Sequence, residues 1–260
     1  MNLINSIPKA DYEILELNRG KANPINNDLV TTLRQNLARI ENDARVRGVV
    51  LTGNTPGFFS VGLDLKELYY NDEKQITAFW KNWDALVMEM IKFPKPIVAA
   101  INGYSPAGGC VLAVTCDYRF MADGEKFVIG LNETSVGIVV PEYIFQLYQF
   151  WVGKRLAYIN LMEGKLLKVH QAKEINLIDE VCKIEELLPK AQAYLEQLLT
   201  KPDNILINSK RNLRAELIER IEKAPKVDMK SRLKAWFDPK SRAMMKALVD
   251  NLSERSKKRQ

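Results

Sequence analysis

Two short apolar runs constrain this chain more than any other feature. Residues 48–52 carry Val49, Val50 and Leu51 in succession, and residues 97–101 read Ile97-Val98-Ala99-Ala100-Ile101. Runs of this length without polar alternation fit strands covered on both faces. A helical stripe precedes each. Leu29, Val30, Leu33, Leu37 and Ile40 follow helical spacing, with Asn27 as the expected N-cap. Before them, residues 12–17 read as a short strand ending in the turn signal Asn18-Arg19-Gly20. Strand, helix and strand in that order imply a parallel pair. Ile76, Phe79, Trp80, Trp83, Leu86, Val87 and Met90 mark a second, longer helix, stopped by Pro94 and Pro96. The fold class is therefore α/β.

Further along, residues 56–64 form a loop rich in small and turn residues. Residues 110–115 read as a buried helix, and 118–122 and 126–129 as further strands. From Pro141 the chain turns helical, over 142–150, 154–162 and 184–200. Pro202 marks a boundary, so an α/β core over 1–201 and a helical region over 202–260 are expected. That region reads as charged amphipathic helices broken near Pro225 and Pro239. With 260 residues, 47% of them hydrophobic, the chain can bury a sizeable core.

Composition argues against several kinds of chemistry. The one histidine, His170, lies in Val169-His170-Gln171-Ala172-Lys173-Glu174 and is expected at the surface. A Ser-His-Asp or Cys-His engine would have to use it, and no nucleophile elbow accompanies it. Cys110, Cys116 and Cys182 lack C-x-x-C spacing, so no metal site is expected. Neither a phosphate-binding G-x-x-x-x-G-K-[ST] loop nor a strand-following G-x-G-x-x-G occurs. The net charge of +6 favours anionic ligands, yet the basic residues are scattered and nucleic acid is not an expected partner. Lys257, Lys258 and Arg259 read as a solvated tail. No apolar run approaches the ~18 residues of a membrane span. Unpaired cysteines without a secretory signal, presequence or Ser-Lys-Leu terminus point to a cytoplasmic chain.

Three segments remain as candidates for chemistry. The first is Phe58-Phe59-Ser60-Val61-Gly62-Leu63-Asp64-Leu65 and the second Asn102-Gly103-Tyr104-Ser105-Pro106-Ala107-Gly108-Gly109-Cys110. Both follow apolar strands, and the second leads directly into a helix. Amides at a helix N-terminus stabilise negative charge, and two such loops together would make an oxyanion hole. Taken alone, Gly-Gly before a helix also fits a plain turn. The third segment, Gly130-Leu131-Asn132-Glu133-Thr134-Ser135-Val136-Gly137-Ile138, places one carboxylate among small and apolar residues. Lost hydration would make Glu133 a useful base. An exposed loop glutamate fits the segment as well.

Read together, the three segments resemble the crotonase, or enoyl-CoA hydratase/isomerase, superfamily. The spacing through Cys116-Asp117-Tyr118-Arg119 to Glu133 is similar too, and so is Lys173-Glu174-Ile175-Asn176-Leu177-Ile178-Asp179. The likeness covers residues 12–181. It implies a ββα spiral core with a C-terminal helical trimerisation region, hence a homo-oligomer, expected to be a trimer. It also implies an acyl-CoA thioester as substrate, with coenzyme A part of that substrate and no separate cofactor. Carried over position by position, the amides of Leu63 and Gly108 form the oxyanion hole and Glu133 is the acid/base group. Ser60, Gly62, Asp64, Leu65, Tyr104, Pro106, Gly109 and Asn132 line the substrate site. Lys21 and Lys66 match lysines near the nucleotide and phosphates of coenzyme A, where a mobile point charge suits phosphate. Trp236, Phe237, Met244, Met245 and Leu248 are candidates for an intersubunit face, or else for packing on their own core.

The resemblance also contains a departure. Hydratases of the superfamily use a second glutamate at the position matching Val111. A single carboxylate suits a different task, taking a proton from C2 of a 3-enoyl-CoA and returning it at C4. Pro106-Ala107-Gly108-Gly109-Cys110 and Gly130-Leu131-Asn132-Glu133-Thr134 are most similar to the mitochondrial-type Δ3,Δ2-enoyl-CoA isomerases. The alternatives are a hydratase with a substituted second acid, another acyl-CoA lyase or hydrolase, and an inert CoA-binding subunit.

Overall fold

In the computed structural model, which describes residues 2–224 and 227–257, the two apolar runs lie side by side in a six-stranded sheet. The chain opens with β1 (Ile4–Pro8), β2 (Glu13–Leu17), α1 (Asn27–Asn42), β3 (Val49–Gly53), β4 (Gly57–Phe58), α2 (Leu65–Leu68) and α3 (Glu73–Lys92). It continues through β5 (Ile97–Ile101), β6 (Gly103–Pro106), α4 (Gly108–Thr115), β7 (Tyr118–Ala122) and β8 (Val128–Gly130). A 3-10 turn (Glu133–Val136) leads to α5 (Glu142–Val152), α6 (Lys154–Glu163), β9 (Leu167–Lys168), α7 (Val169–Glu174) and β10 (Glu180–Cys182). The remainder is helical: α8 (Ile184–Leu199), α9 (Asp203–Lys223), α10 (Met229–Trp236) and α11 (Pro239–Lys257).

The large sheet has the order β1-β2-β3-β5-β7-β10, parallel throughout except for the β1–β2 hairpin. Every residue of β3 and β5 is buried, as their lack of alternation requires. A smaller sheet has the order β4-β6-β8-β9. Successive strand pairs β3/β4, β5/β6 and β7/β8 each give one strand to each sheet. That is the expected ββα spiral, and its turns bring the ends of β4, β6 and β8 together.

Several boundaries differ from the sequence reading. The cap of α1 is Asn26, whose Oδ1 accepts from the Leu29 amide at 3.0 Å, while Asn27 accepts from the Asn82 side chain. Two consecutive asparagines offer the same cap chemistry, and tertiary contacts choose between them. Strand β8 starts at Val128 because the Phe127 amide closes a turn on the Gly124 carbonyl. The sequence does not mark strands β1, β4, β6 and β9, β4 and β9 because a two-residue strand carries no periodicity.

The C-terminal helices clasp the core through charge as well as apolar contact. Arg214 and Lys210 of α9 both pair with Asp117, at 2.8 and 2.7 Å, and Arg214 also donates to the Ile91 and Thr115 carbonyls. Trp236 meets Trp80 edge to face at 5.7 Å, and Met245 is fully buried. For these two residues the subunit-face reading is corrected: they pack on their own core. Phe237 and Met244 remain exposed and Leu248 partly so. Pro225, Lys258 and Arg259 lie outside the described residues.

Candidate active site

The first loop is fixed by two neighbouring segments. The amides of Phe59 and Ser60 both donate to the Tyr104 carbonyl, tying the loop to β6. Residues 22–25 run along its other side: Val61 N–H donates to Ala22, Ile25 N–H to Gly62 and Asp64 N–H to Ile25, at 3.1, 2.8 and 2.8 Å. Ser60 Oγ donates to the Asn23 carbonyl and accepts from the Gly62 amide, so this buried hydroxyl sets the turn from inside. Gly62 sits at φ +82°, a conformation that glycine adopts without strain.

The second loop enters α4 with no side-chain cap, so the first-turn amides are left for another acceptor. Ala107 stands at that entrance with φ +49° and ψ −123°. A non-glycine residue held there stores strain of about 1–3 kcal/mol, a cost that concentrates at functional sites. Its amide donates to the Gly130 carbonyl at 2.8 Å, which ties the loop to β8.

The two loops touch. A Cβ on Gly62 would stand 3.0 Å from Gly108 N, and one on Gly109 would stand 2.4 Å from the Ser60 carbonyl oxygen. Only glycine permits that approach. The Leu63 and Gly108 amides, adjacent across this contact, donate to no acceptor among the described residues.

The carboxylate comes from the end of β8, which pairs with β6 at Pro106 and Gly130. Glu133 opens the 3-10 turn and is only 6% exposed. Its Oε2 has no hydrogen-bond partner among the described residues. Burial raises its pKa from the ordinary 4.5 to about 7. Such a carboxyl takes up and releases a proton near neutrality. The turn is held by α6, where Thr134 Oγ1 donates to the Leu161 carbonyl, and by α11, where Ser241 packs against Gly137. Cys110 lies close by, and both burial and the Glu133 charge push its thiol well up. Val111 is buried in the main apolar cluster.

The other expected residues fall into distinct places. Gly62, Leu63, Gly108 and Gly109 meet as described, over Ser60. The Asp64 carboxylate is occupied by Arg19 at 2.6 Å and by the Glu67 amide, which caps α2, so it holds the loop. Leu65 is buried. Tyr104 stacks on Phe58 at 5.4 Å and meets Phe127 edge-on, while its carbonyl anchors the first loop. The Pro106 carbonyl oxygen faces Gly62, and the Asn132 carbonyl accepts from Ser135. Lys21 and Lys66 are exposed at the rim of the first loop, Lys21 beside Ala22 and Lys66 on α2. His170 is exposed and pairs with Asp123 at 3.3 Å. Arg19 and Asn23, which brace the first loop, were missed. Asn23, at φ +50° with its amide on the Phe59 carbonyl, had a signal in Asn23-Pro24, since asparagine tolerates that conformation.

Among the described residues no cluster of three or more His, Cys, Asp or Glu could hold a metal, and no helix is long and apolar enough to cross a membrane. The family model described as enoyl-CoA hydratase/isomerase matches residues 12–255, reaching well into the C-terminal helices. The mouse protein named enoyl-CoA delta isomerase 1, mitochondrial, is 34% identical over 88% of this chain and 79% of its own. An orangutan (Pongo abelii) mitochondrial enoyl-CoA hydratase is 30% identical over 84% and 73%. The crystal structure of human mitochondrial delta3-delta2-enoyl-CoA isomerase superposes with a TM-score of 0.92 at 29% identity, covering 97% of this chain and 99% of that one. Touching glycine loops, a lone dry carboxylate and a match along nearly the whole chain have one meaning: this protein belongs to the enoyl-CoA hydratase/isomerase family.

Proposed function

We propose that the protein converts 3-enoyl-CoA to trans-2-enoyl-CoA, with Glu133 as its single proton carrier. The observation that carries this reading is the pairing of one buried carboxylate, whose Oε2 has no partner among the described residues, with two amides that donate to no acceptor among them. The thioester oxygen of the substrate sits between the Leu63 and Gly108 amides. The Glu133 carboxylate takes the proton from C2, and the C–H electron pair moves into a dienolate whose negative charge gathers on the thioester oxygen. Donors aimed at that oxygen contribute ~10²–10³ in rate each. The carboxylic acid then returns the same proton to C4, and the double bond forms between C2 and C3. Atoms and charge balance without a cofactor or added water.

Val111 supports isomerisation over hydration. Adding water calls for a second group to position it, and acid/base groups contribute ~10²–10⁴ each. An aliphatic side chain there keeps water from the dienolate. Lys21 and Lys66 at the rim are the proposed contacts for the phosphates of coenzyme A. Exposed apolar residues on α5 and α6, among them Phe150, Leu156, Tyr158 and Met162, support a subunit interface, and we propose the trimer. Light scattering of purified protein tests it. Fractionation against matrix and cytosolic markers tests a cytoplasmic location against the mitochondrial one in the relatives' names.

The decisive assay pairs a trans-3-enoyl-CoA with crotonyl-CoA and follows the conjugated thioester in the ultraviolet. Isomerisation without hydration is expected. Hydration of crotonyl-CoA would give the site to a hydratase, and silence with both substrates would end the isomerase reading.

A further inference from the structure

The two halves of the site come from distant parts of the chain, and one short stretch touches both. Helix α11 packs on α2, which continues the first loop, and on the turn that Glu133 opens. Its first turn makes the two contacts from neighbouring residues. Ser241 lies against the carboxylate half: a Cβ on Gly137 would stand 3.1 Å from both the Cα and the carbonyl oxygen of Ser241. Arg242 reaches the backbone half. Its guanidinium lies 3.5 Å over the Tyr69 ring, and its Nη2 donates to the Tyr69 carbonyl at 2.7 Å. Tyr69 is the residue that ends α2.

This stretch is itself held in place. Asp238 Oδ2 accepts from the Lys240 and Ser241 amides at 3.0 and 3.1 Å, a cap that sets the start of α11. Met245 and Val249, on the same face of the helix, are buried in the main core. Just before it, Arg232 of α10 pairs with Asp84 of α3 and lies over Trp80. Stability alone does not account for Arg242. Its Nη1 is buried without a hydrogen-bond partner among the described residues, and an unmade buried donor costs about 1–3 kcal/mol. A methionine would cover the same ring without that cost. Only the flat guanidinium fixes both the height above the ring and the direction of the hydrogen bond.

We propose that Arg242 is a positioning residue that pins the start of α11 across the site, so that the turn carrying Glu133 and the segment carrying the Leu63 amide keep one separation and water stays out from between them. The inference rests on the site as read above, with Glu133 as the proton carrier. It gives the C-terminal helices a part in the chemistry through Ser241 and Arg242, neither of which touches the reacting atoms.

The test uses full-length protein labelled with ¹³C at the glutamate carboxyls, with Glu133 assigned by its loss in Glu133→Gln. Burial raises the Glu133 midpoint to about 7 and its own backbone amide pulls the other way, with no cation among the causes. Arg242→Met removes the pin and keeps the apolar stem. Water entering beside a loosened α11 should bring the Glu133 midpoint down by about one pH unit, whereas loss of a positive charge by itself would raise it. With 3-enoyl-CoA, kcat is expected to fall roughly tenfold with KM little changed, as for an interaction that matters in the transition state. Arg242→Lys keeps the charge without the flat stack and should show both changes at smaller size, which preserves the test if Arg242→Met fails to fold. Gly137→Ala presses on the same helix from the Glu133 side. Its combination with Arg242→Lys should therefore lose less activity than the product of the two single losses. A lower Tm with the midpoint and kcat both unchanged would make Arg242 a structural residue only and overturn the proposal, as would losses that simply multiply. The titration needs no turnover, so it decides the role of Arg242 even if the isomerase reading fails its own assay.

Discussion

Around Leu63 and Gly108 the site is made of backbone, while around Glu133 it is made of one side chain. The backbone half is braced many times over: Tyr104, Ala22, Ile25 and Ser60 each fix the first loop, and the Gly130 carbonyl fixes the second. Its chemistry depends on shape, because glycines let two loops approach more closely than any side chain allows. The carboxylate half depends on dryness. Among the described residues no group holds Glu133 Oε2, and burial raises its proton affinity against a smaller opposing pull from its own backbone amide. A site divided in this way should fail in two different ways.

Four changes sharpen that contrast. The largest effect belongs to Glu133→Gln, expected to lower kcat with 3-enoyl-CoA by ~10³ or more while calorimetry still shows acyl-CoA binding. Retained turnover would remove Glu133 from the chemistry. Next is Gly109→Ala, whose Cβ would meet the Ser60 carbonyl at 2.4 Å and so must part the loops. Its kcat/KM should fall by ~10² as the donors lose aim, with the Glu133 titration unchanged. Gly108→Ala should be milder, because the tightest contact of its Cβ is the movable end of Ile25 at 3.0 Å and Gly62 Cα and Leu63 stand at ordinary contact distance, although Gly108 supplies the amide. If Gly108→Ala proves the worse of the two, shape is not what the backbone half depends on.

The third effect is graded. Since the base acts as carboxylate and ionises at about 7, kcat/KM should fall tenfold per pH unit below that value and level off above it. A profile flat down to pH 5 would place the carboxyl in water. The fourth is a stability effect of opposite sign to the first. A folded-state pKa raised from 4.5 to about 7 contributes stability below the unfolded value, and this is lost as pH rises through 7. At 1.36 kcal/mol per pH unit, ionising Glu133 costs up to about 3 kcal/mol at pH 8. Glu133→Gln should therefore melt higher than wild type at pH 8, with the difference vanishing near pH 5. Equal melting at both would show that the charge is solvated.

The same division explains what could be read without a structure. Apolar runs such as Val49-Val50-Leu51 and stripes such as Leu29 to Ile40 mark strands and helices because burial leaves its period in the residue types. The glycine loops were legible because close backbone approach needs that residue. Roles set by tertiary geometry were not legible. Asp64, expected at the substrate, is spoken for by Arg19, a partner 45 positions away. Trp236 and Met245 fit an interface or a core equally well by type, and only packing against Trp80 and its neighbours separates the two. Nothing in the spacing of Asp117, Lys210 and Arg214 announces that they meet in the interior.

One measurement reaches the central claim directly: isomerisation of a 3-enoyl-CoA carrying deuterium at C2, run in ordinary water, with the product examined at C4. A single carboxyl that is 6% exposed should carry the label across before solvent exchanges it, so a substantial share of product molecules should hold deuterium at C4. Complete loss of the label to water at every stage of the reaction would contradict a one-residue shuttle in a dry pocket.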